Sequence, residues 1–335
     1  MYSEKDDYFG LFVKKNFEGL EKHFIVNKIF VRNSNNKLMR FIYYIVYLYE
    51  VIKENKNKYQ FVYIHFPTRS AIPLLFCKTL KSKLILNFHG TDLRFNSKIN
   101  KVFFWLQKYL FKKAQLVIVP SSYYLRIAAK YFDKKRLFVS PSSGVPNFFY
   151  NSKKNETNEL RFTYISTLNE DKGIFDACKA FIKTAKFNSN LQFDIYGRID
   201  LKYKDVLEKY TLFEYINYKG ILKQSEIPRV LNGTFCFIFP SKSESLGLVG
   251  IESLATGTPI IGSDNLAIQT YLKHENNGLI FKQGCVESLV KCIQRIILDK
   301  DLYINLKKNA RPSVLHFKES SVQLKLTNRI NQLLN

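Results

Sequence analysis

Two glutamates in one short stretch are the residues whose type and spacing most directly suggest binding chemistry. Residues 239–264 read FPSKSESLGLVGIESLATGTPIIGSD, with Glu244 and Glu252 eight positions apart. Carboxylates accept hydrogen bonds well from sugar hydroxyls, and Gly247 would let the backbone approach a phosphate closely. A solvated surface helix carrying two glutamates is the alternative that the pattern alone leaves open.

The elements around these glutamates indicate how they would be positioned. The run FCFIFP (235–240) is typical of a buried strand, and residues 247–256 are predicted to form a helix with Ser243 or Ser245 as its N-cap. Glu244 would lie in the loop and Glu252 about two turns into the helix, so both could face one cleft. In open α/β sheets, ligands bind at this end of the strands, where helix N-termini offer free N–H groups to anions.

The remaining chain alternates short apolar runs with segments of helical period, which is typical of parallel sheets with helices on both faces. The strands predicted in the first half are 24–31, 61–66, 83–90, 115–122 and 137–144, and the helices are 10–22, 38–54, 70–81, 97–113 and 122–132. The strands predicted in the second half are 160–166, 191–197, 216–220, 235–240, 259–263 and 279–281, and the helices are 173–185, 202–209, 225–231 and 247–256, followed by a helical tail over most of 286–335. The polar stretch 150–159 interrupts this rhythm and is predicted to be a linker.

The charge is strongly positive, with 52 Lys and Arg against 28 Asp and Glu, a formal net charge of +24. This favours anionic partners, although a general abundance of lysine explains it equally well. We expect no nucleic acid partner, because no RNP, zinc or helix-turn-helix signature accompanies the charge. Five scattered cysteines without a CxxC pair indicate a reducing compartment. With no signal-peptide pattern at the start, the sequence predicts a cytoplasmic protein.

The stretch around the glutamates closely resembles the donor-site signature of retaining glycosyltransferases of family 4, which have the GT-B fold. That signature is P-S-x-x-E-x-x-G-L, a second Glu after seven intervening residues, and then G-T-P-[VI]-[VI]. Further stretches similar to the family occur in its order: NFHGTDL (87–93), SSGVP (142–146), ISTLNEDKGIFDACKAF (165–181), IYGRID (195–200) and HENNGLIF (274–281). The resemblance runs from about residue 8 to the end.

The resemblance implies two Rossmann-like, doubly wound parallel-sheet domains that face each other across a cleft. The implied N-terminal domain, which binds the acceptor, is 1–149, the linker is 150–159, and the donor-binding domain is 160–316. A C-terminal helix in 317–335 would pack back toward the N-terminal domain.

The resemblance also implies roles for single residues. Glu252 would accept hydrogen bonds from the nucleotide ribose, and Glu244 would hold hydroxyls of the transferred sugar. Lys172 would neutralise the diphosphate leaving group, and His89 would lie near the sugar and the acceptor. The other implied donor-binding residues are Ser245, Leu246, Gly247, Thr167, Gly197, Arg198 and Gly10.

Two features depart from the family pattern. The family usually has an arginine five residues before the lysine, but this chain has Thr167 there. A hydroxyl cannot replace the charge or the forked donors of a guanidinium, and Arg198 or Lys242 is the candidate replacement. In addition, a domain of this kind usually opens on a strand, whereas here the first predicted element is the helix at 10–22.

The resemblance implies a retaining glycosyltransferase that moves a sugar from a nucleotide-diphosphate donor to a hydroxyl of a glycan or lipid-linked acceptor, in surface polysaccharide biosynthesis. No cofactor or metal is expected, because cations and helix N-termini would stabilise the departing diphosphate. The single Asp-x-Asp triplet, 299–301, is predicted to be a solvated turn, and we expect structural or surface roles for His23, His65, His274 and His316. A nucleotide-sugar epimerase or a phosphorylase of the same fold is the alternative, and a basic nucleic-acid-binding protein is one from another class.

The segment SKINKVFFWLQKYLFKK (97–113) has a pattern that occurs at membrane interfaces. As a helix it would have one face with Lys98, Lys101, Lys108, Lys112, Trp105 and Tyr109, and a core-facing set of Phe103, Leu106 and Leu110. An ordinary helix with solvated lysines fits equally well. Together with the net charge, the pattern favours peripheral contact with an anionic membrane at the inner face of the plasma membrane. The longest apolar stretch, FIYYIVYLYEVI from Phe41, is too short to span a bilayer.

Overall fold

The computed structural model describes residues 10–32, 34, 36–54, 58–77, 80–90, 92–93, 98–150, 160–188 and 190–335, without the side chains of Leu11 and residues 98–100. The chain forms two compact units, Met1–Gly144 with Glu319–Asn335, and Val145–Lys318. The second unit begins a few residues before the predicted boundary at 149, because Val145, Phe149 and Tyr150 pack in its core. Residues 151–159 of the predicted linker lie outside the described residues.

The first unit contains a parallel sheet, of which the described residues form four strands. They pair in chain order and are β1 (Phe61–His65), β2 (Lys83–Asn87), β3 (Leu116–Val119) and β4 (Leu137–Val139). The helices are α1 (Leu11–Glu21), α2 (Lys37–Lys53), α3 (Pro67–Ser70), α4 (Lys98–Leu106), α5 (Lys108–Lys112) and α6 (Ser122–Ala128), with a 3₁₀ helix at Ile72–Phe76.

The second unit contains a six-stranded parallel sheet in the described part of the chain. The strands are β5 (Leu160–Ile165), β6 (Leu191–Tyr196), β7 (Ile216–Tyr218), β8 (Cys236–Phe239), β9 (Ile260–Ser263) and β10 (Gly278–Phe281). Its helices are α7 (Asn147–Tyr150), α8 (Ile174–Ala185), α9 (Lys204–Thr211), α10 (Ile227–Asn232), α11 (Leu248–Ala255), α12 (Val286–Leu298) and α13 (Lys300–Ser313). The last helix, α14 (Glu319–Leu334), belongs to the first unit.

The strand order of the second sheet is β7-β6-β5-β8-β9-β10, which is the Rossmann order. Strands β8 and β9 are buried along their whole length, as parallel strands between helices must be. In β8, for example, Cys236 and Ile238 join the core on one face of the sheet, whereas Phe237 and Phe239 join the core on the other. This explains why β8 appears in the sequence as a continuous apolar run, CFIF.

Several predicted elements of the first unit are wrong in detail. Residues 24–31 form no strand, although Phe24 and Val26 pack on the sheet while Ile25 is exposed, which gives strand-like alternation without a partner strand. The predicted helix 70–81 is replaced by α3 and the 3₁₀ helix. The predicted helix 97–113 is interrupted at Gln107, which separates α4 from α5.

The C-terminal helix α14 packs on the first unit. Leu326 and Ile330 share a buried cluster with Leu20 of α1 and Ile85 of β2. The Arg329 guanidinium donates to the backbone carbonyl of Lys135 at 3.1 Å. Among the described helices of the chain, none is long and apolar enough to cross a membrane.

Candidate active site

The candidate site of the second unit lies where the strand order of its sheet reverses. Strands β5 and β8 are neighbours, and their connections leave in opposite directions along the sheet. The loops 166–173 and 240–247 therefore meet at the carboxyl ends of these strands, the usual ligand position in open α/β sheets. The two loops approach closely: at Gly173, whose φ is 70°, a Cβ would lie 2.2 Å from the carbonyl oxygen of Pro240.

The two loops bring together a lysine and a glutamate that the sequence assigned to the site. The Lys172 Nζ lies 2.5 Å from Oε1 of Glu244 and donates to the Ser243 carbonyl at 3.2 Å. The Ser241 hydroxyl donates to the same Glu244 oxygen at 2.7 Å. The two charged side chains are only 25% and 12% exposed, so this ion pair is more shielded from water than a surface pair.

The loop that carries Glu244 is fixed by hydrogen bonds to its backbone. The Ser263 hydroxyl, at the end of β9, donates to the Ser241 carbonyl at 2.6 Å, and the Asn265 amide donates to the Lys242 carbonyl at 3.1 Å. From the other side, the Lys242 N–H donates to the Asp171 carbonyl at 2.8 Å. The position of the carboxylate is therefore set by both neighbouring strands.

The helix after this loop begins differently from the prediction. Neither Ser243 nor Ser245 caps α11; its N-cap is Gly247, in the left-handed conformation with a φ of 79°. A Cβ at Gly247 would lie 2.7 Å from the Phe239 ring, so the close approach requires glycine. The Tyr271 hydroxyl donates to the Gly247 carbonyl at 3.0 Å. Burial, with a smaller contribution from Glu244, raises the pKa of Tyr271 well above its ordinary value, so the hydroxyl keeps its proton.

Leu246 and Glu252 are both buried, whereas Ser245 is partly exposed. Glu252 is the fifth residue of α11, about one turn from its start rather than the two turns predicted. The Gln224 amide donates to its Oε1 at 3.3 Å. Burial, and secondly the Glu252 charge, raise the pKa of the Tyr150 hydroxyl. Sequence reasoning missed Gln224 and Tyr150, because no local motif links them to a glutamate so distant in the chain.

Thr167, which stands where the family usually has an arginine, and the two candidate replacements Arg198 and Lys242 lie beside the same loops. Thr167 is exposed, and its carbonyl accepts from the Tyr164 hydroxyl at 2.9 Å. The Arg198 carbonyl accepts from the Leu168 N–H at 2.9 Å, which places Arg198 next to Thr167, and its side chain is exposed. The Lys242 Nζ, in contrast, lies 3.1 Å from the Asp176 carboxylate.

Gly197 directly follows β6. Its N–H donates to the Gly220 carbonyl at 2.8 Å, and it lies beside the carbonyl of Ser166. It is therefore at the same edge of the sheet as the loops after β5 and β8.

The first unit contains the other two predicted site residues, His89 and Gly10. The Nε2 of His89 lies 2.9 Å from Nδ1 of His65, and the two rings stack with centroids 5.2 Å apart. Burial lowers the pKa of His65 to about 3 and that of His89 well below its ordinary value, so both rings are neutral near pH 7. The sequence predicted only a structural or surface role for His65 and missed this pairing.

A buried aspartate orders the loop of His89. Oδ1 of Asp92 accepts from the N–H groups of His89 and Gly90 at 2.9 and 3.0 Å. Burial raises the pKa of Asp92 to about 7 despite these hydrogen bonds. Oδ2 of Asp92 and Nε2 of His65 are buried without a hydrogen-bond partner in the described part of the unit.

Gly10 begins α1 beside the same histidine. It has a φ of 84°, and its carbonyl accepts from the N–H groups of Val13 and Lys14 at 2.8 and 2.9 Å. The ring of Phe12 lies 4.9 Å from that of His89. The structure therefore brings the helix start and the histidine loop together within the first unit.

The Asp-x-Asp triplet is exposed and lies at the junction of two helices, as predicted, but Lys300 and Asp301 belong to the first turn of α13 rather than to a separate turn. Asp299 separates α12 from α13 and caps α13, because its Oδ1 accepts from the Leu302 N–H at 2.9 Å. Among the residues that the structure describes, no group of three or more His, Cys, Asp or Glu side chains could hold a metal ion.

Two family models match the chain, and together they cover most of both units. The model described as "Glycosyl transferases group 1" matches residues 147–313, and the one described as "Glycosyltransferase Family 4" matches residues 11–142. These ranges contain the Glu244 loop and the His89 loop, respectively.

Individual proteins show the same relationship. The chain is 29% identical over 153 residues to alpha-monoglucosyldiacylglycerol synthase of Acholeplasma laidlawii, covering 44% of this chain and 37% of the relative. It is 20% identical over 244 residues to the amylovoran biosynthesis glycosyltransferase AmsK of Erwinia amylovora, covering 70% and 60%, so it spans less than two thirds of either relative.

The fold is shared with solved structures. Anabaena HepE in complex with UDP-glucose superposes with a TM-score of 0.72 at 16% identity, covering 93% of this chain and 88% of that one. With two parallel-sheet α/β units, the architecture is GT-B. The chain therefore belongs to the group 1 glycosyltransferases, with the GT-B fold and the family 4 motifs described above.

Proposed function

We propose that the chain is a retaining, metal-independent glycosyltransferase that uses a nucleotide-diphosphate sugar. The observation that carries the proposal is the arrangement of Lys172, Glu244 and Ser241 where the strand order of the second sheet reverses. A cation and a carboxylate fixed side by side can bind the diphosphate and the sugar hydroxyls of one donor. Glu252, buried and already accepting from Gln224, is the proposed partner of the ribose hydroxyls.

The proposed reaction uses these positions. The bond between the anomeric carbon and the diphosphate oxygen breaks, and its electron pair leaves with the nucleoside diphosphate. The acceptor hydroxyl oxygen bonds to the same carbon from the same face, so the configuration is retained, and its proton passes to the departing phosphate oxygen. Lys172 stabilises the charge on that phosphate, so it must release Glu244 or share it with a sugar hydroxyl when the donor binds.

The relatives support a substrate class. HepE has been solved with UDP-glucose, and the two curated relatives are named for a glycosylated diacylglycerol and for amylovoran biosynthesis. We therefore propose a UDP-sugar donor and an acceptor that is a glycan or is linked to lipid, in surface polysaccharide or glycolipid synthesis. His89 and Gly10 stay predictions carried by the family resemblance.

Nucleotide binding is the first test. Thermal unfolding with UDP, GDP or ADP should show a rise in Tm for UDP, because a ligand at a hundred times its Kd stabilises the folded state by about 2.7 kcal/mol. Glu252→Ala should remove that rise, whereas Glu208→Ala, at an exposed glutamate of α9, should keep it. A UDP response that survives Glu252→Ala would contradict the ribose assignment, and no response to any nucleotide would contradict the function.

Transfer itself is tested with radiolabelled UDP-sugars and extracted lipid or glycan acceptors. We expect product with the anomeric configuration of the donor, by NMR, and an unchanged rate in EDTA. A sugar isomer formed without acceptor would instead identify an epimerase, and phosphate-dependent release of sugar phosphate would identify a phosphorylase.

A further inference from the structure

Helix α2 exposes a continuous apolar face. The large side chains Leu38, Phe41, Ile42, Ile45, Tyr49 and Ile52 are each more than 40% exposed. Their spacing of three and four residues places them on one side of the helix. Single exposed apolar residues are ordinary on protein surfaces, but a contiguous row along four turns marks an interaction surface.

The opposite side of α2 is attached to the body of the first unit. The Tyr44 hydroxyl donates to the Arg69 carbonyl at 2.9 Å, and the Tyr47 hydroxyl donates to the Ser70 carbonyl at 2.5 Å. Tyr47 is buried, and Val51 packs against the core of this unit. The helix is therefore docked by its tyrosine side and presents its more apolar side outward.

A second set of exposed apolar side chains, on α4, α5 and the 3₁₀ helix, is attached to the segment Thr68–Ser70 that also holds α2. The Gln107 amide, between α4 and α5, donates to the Thr68 carbonyl at 2.7 Å, directly before the two carbonyls that hold α2. Trp105 and Tyr109, on α4 and α5, are 68% and 70% exposed, and Phe76 of the intervening 3₁₀ helix is 67% exposed. We call α2, Ile72–Phe76, α4 and α5 together the apolar surface of the first unit.

The charge of the first unit indicates what covers this surface. Residues 1–144 with 319–335 contain 28 Lys and Arg against 10 Asp and Glu, a net +18, whereas 145–318 contain 24 against 18, a net +6. The chain between Asp92 and Asp133, which includes α4 and α5, has no acidic residue. Lys101, Lys108 and Lys112 are exposed there beside Trp105 and Tyr109.

We propose that the apolar surface of the first unit docks on a bilayer containing anionic lipids, with the face of α2 inserted among the acyl chains. Apolar side chains bordered by lysines, with Trp and Tyr among them, suit the headgroup boundary of an anionic membrane. A second copy of the chain is the less favourable occupant, because it would bring a unit of +18 against another of +18. The membrane-associated acceptor proposed above would then be delivered to an enzyme already at its surface, although this inference stands without that function.

The only tryptophan of the chain gives a test that needs no variant. Trp105 lies within the surface. With vesicles of phosphatidylglycerol and phosphatidylcholine its emission should shift to shorter wavelength and be quenched by brominated acyl chains. Vesicles of phosphatidylcholine alone, or high salt, should reduce both effects, because screening weakens the attraction to anionic headgroups. Unchanged emission with the anionic vesicles would overturn the proposal.

Matched variants locate the contact. Phe41→Ser, Ile45→Ser and Tyr49→Ser together should lower partitioning into the anionic vesicles roughly tenfold or more, by the loss of inserted apolar area. The control is Phe187→Ser, Leu212→Ser and Leu298→Ser, which removes three exposed apolar residues of the second unit and should leave partitioning unchanged.

The lysines are tested separately. Replacement of Lys101, Lys108 and Lys112 by Gln should weaken binding to the anionic vesicles. The same change at Lys186, Lys291 and Lys308, which are exposed lysines of the second unit, should have little effect.

Equal losses in the α2 variant and its control would show non-specific adsorption and overturn the proposal. Light scattering tests the other possible occupant, a second copy of the chain. If the wild-type chain is a dimer and the α2 variant is a monomer, this surface is assigned to a second copy instead. Unchanged thermal unfolding of the α2 variant shows that lost binding is not lost folding.

Discussion

The two units bury ionisable groups in opposite ways. In the second, the Lys172 ammonium meets the Glu244 carboxylate at 2.5 Å, so each charge has a partner. In the first, His65, His89 and Asp92 are buried, no described residue places an opposite charge against them, and burial shifts each pKa toward the neutral form. A paired cation suits the binding of a diphosphate, whereas a neutral cluster offers hydrogen bonds without charge. Paired burial therefore preserves electrostatic function, and unpaired burial removes it.

The strand order explains part of this difference. The strand order of the second sheet reverses between β5 and β8, so the loops that follow both strands meet at their carboxyl ends. The four strands described in the first sheet follow chain order, and its polar cluster lies at the ends of β1 and β2.

The largest effect is expected from removing the negative half of the charged pair. Glu244→Gln keeps the size of the side chain but loses its charge, and transfer should fall about a thousandfold, as for loss of a main transition-state contact. Kinetic assay of the purified variant measures this. Glu287→Gln, at an exposed glutamate that pairs with Lys183, should be fully active. Full activity of Glu244→Gln would refute the site.

The close approach of the two loops predicts a loss of stability. Gly173→Ala should lower the free energy of unfolding by about 3 kcal/mol, because the new Cβ would meet the Pro240 carbonyl in addition to the strain of a positive φ. Gly220→Ala is the control, since Gly220 has a φ of 82° but no atom within 4 Å of a Cβ, and about 1 kcal/mol is expected. Urea unfolding measures both variants. Equal losses of the free energy of unfolding would show that the contact between Gly173 and the Pro240 carbonyl is not required.

The neutral cluster of the first unit predicts a pH dependence. Folded Asp92 keeps its proton to about pH 7, whereas the unfolded chain releases it near the ordinary value of 3.8. The folded state binds more protons in that window, so the stability that this group contributes is lost as the pH rises toward 7. Asn cannot ionise, so the advantage of Asp92→Asn over wild type should grow by about 2 kcal/mol from pH 5 to pH 8.

His65 and His89 give the free energy of unfolding the opposite pH dependence, but their contribution is the same in wild type and in Asp92→Asn. Because their pKa values are lowered, the unfolded chain binds more protons below about pH 6.5, and the stability they contribute is lost as the pH falls. The difference between variant and wild type in urea unfolding therefore isolates Asp92. Asp133→Asn, at an exposed aspartate, should show no such growth. A constant difference for Asp92→Asn would contradict an ionisable group buried without an opposite charge.

The smallest expected effect distinguishes the two replacements for the missing arginine. Arg198 lies beside Thr167, and the Lys242 Nζ lies 3.1 Å from the Asp176 carboxylate, which ties this lysine to α8. Arg198→Ala should weaken UDP binding about fivefold, which is close to 1 kcal/mol, and Lys242→Ala should change it less than about twofold. Calorimetric titration measures both, and the reverse ranking would assign the diphosphate contact to Lys242.

The sequence by itself determined the elements of the second unit, because each depends on a local signal. The run at 235–240 is apolar throughout, as a strand buried on both faces must be, and it became β8. The run at 191–197 alternates apolar residues with Gln192 and Asp194, and it became β6. The pattern placed Glu244 in the loop after a strand, the family resemblance assigned Lys172 to the same site, and the structure brings the two together.

Only the tertiary structure decided which of two similar faces is covered. Helix α2 has apolar side chains all round, and the carbonyls of Arg69 and Ser70 select its tyrosine side for docking. Leu106, predicted to face the core, is exposed because Gln107 turns inward to bond Thr68 and ends α4. The pairing of His65 with His89 likewise depends on strands that are adjacent only after folding. Periodicity identifies an element and its faces, but the partner that covers a face comes from a distant part of the chain.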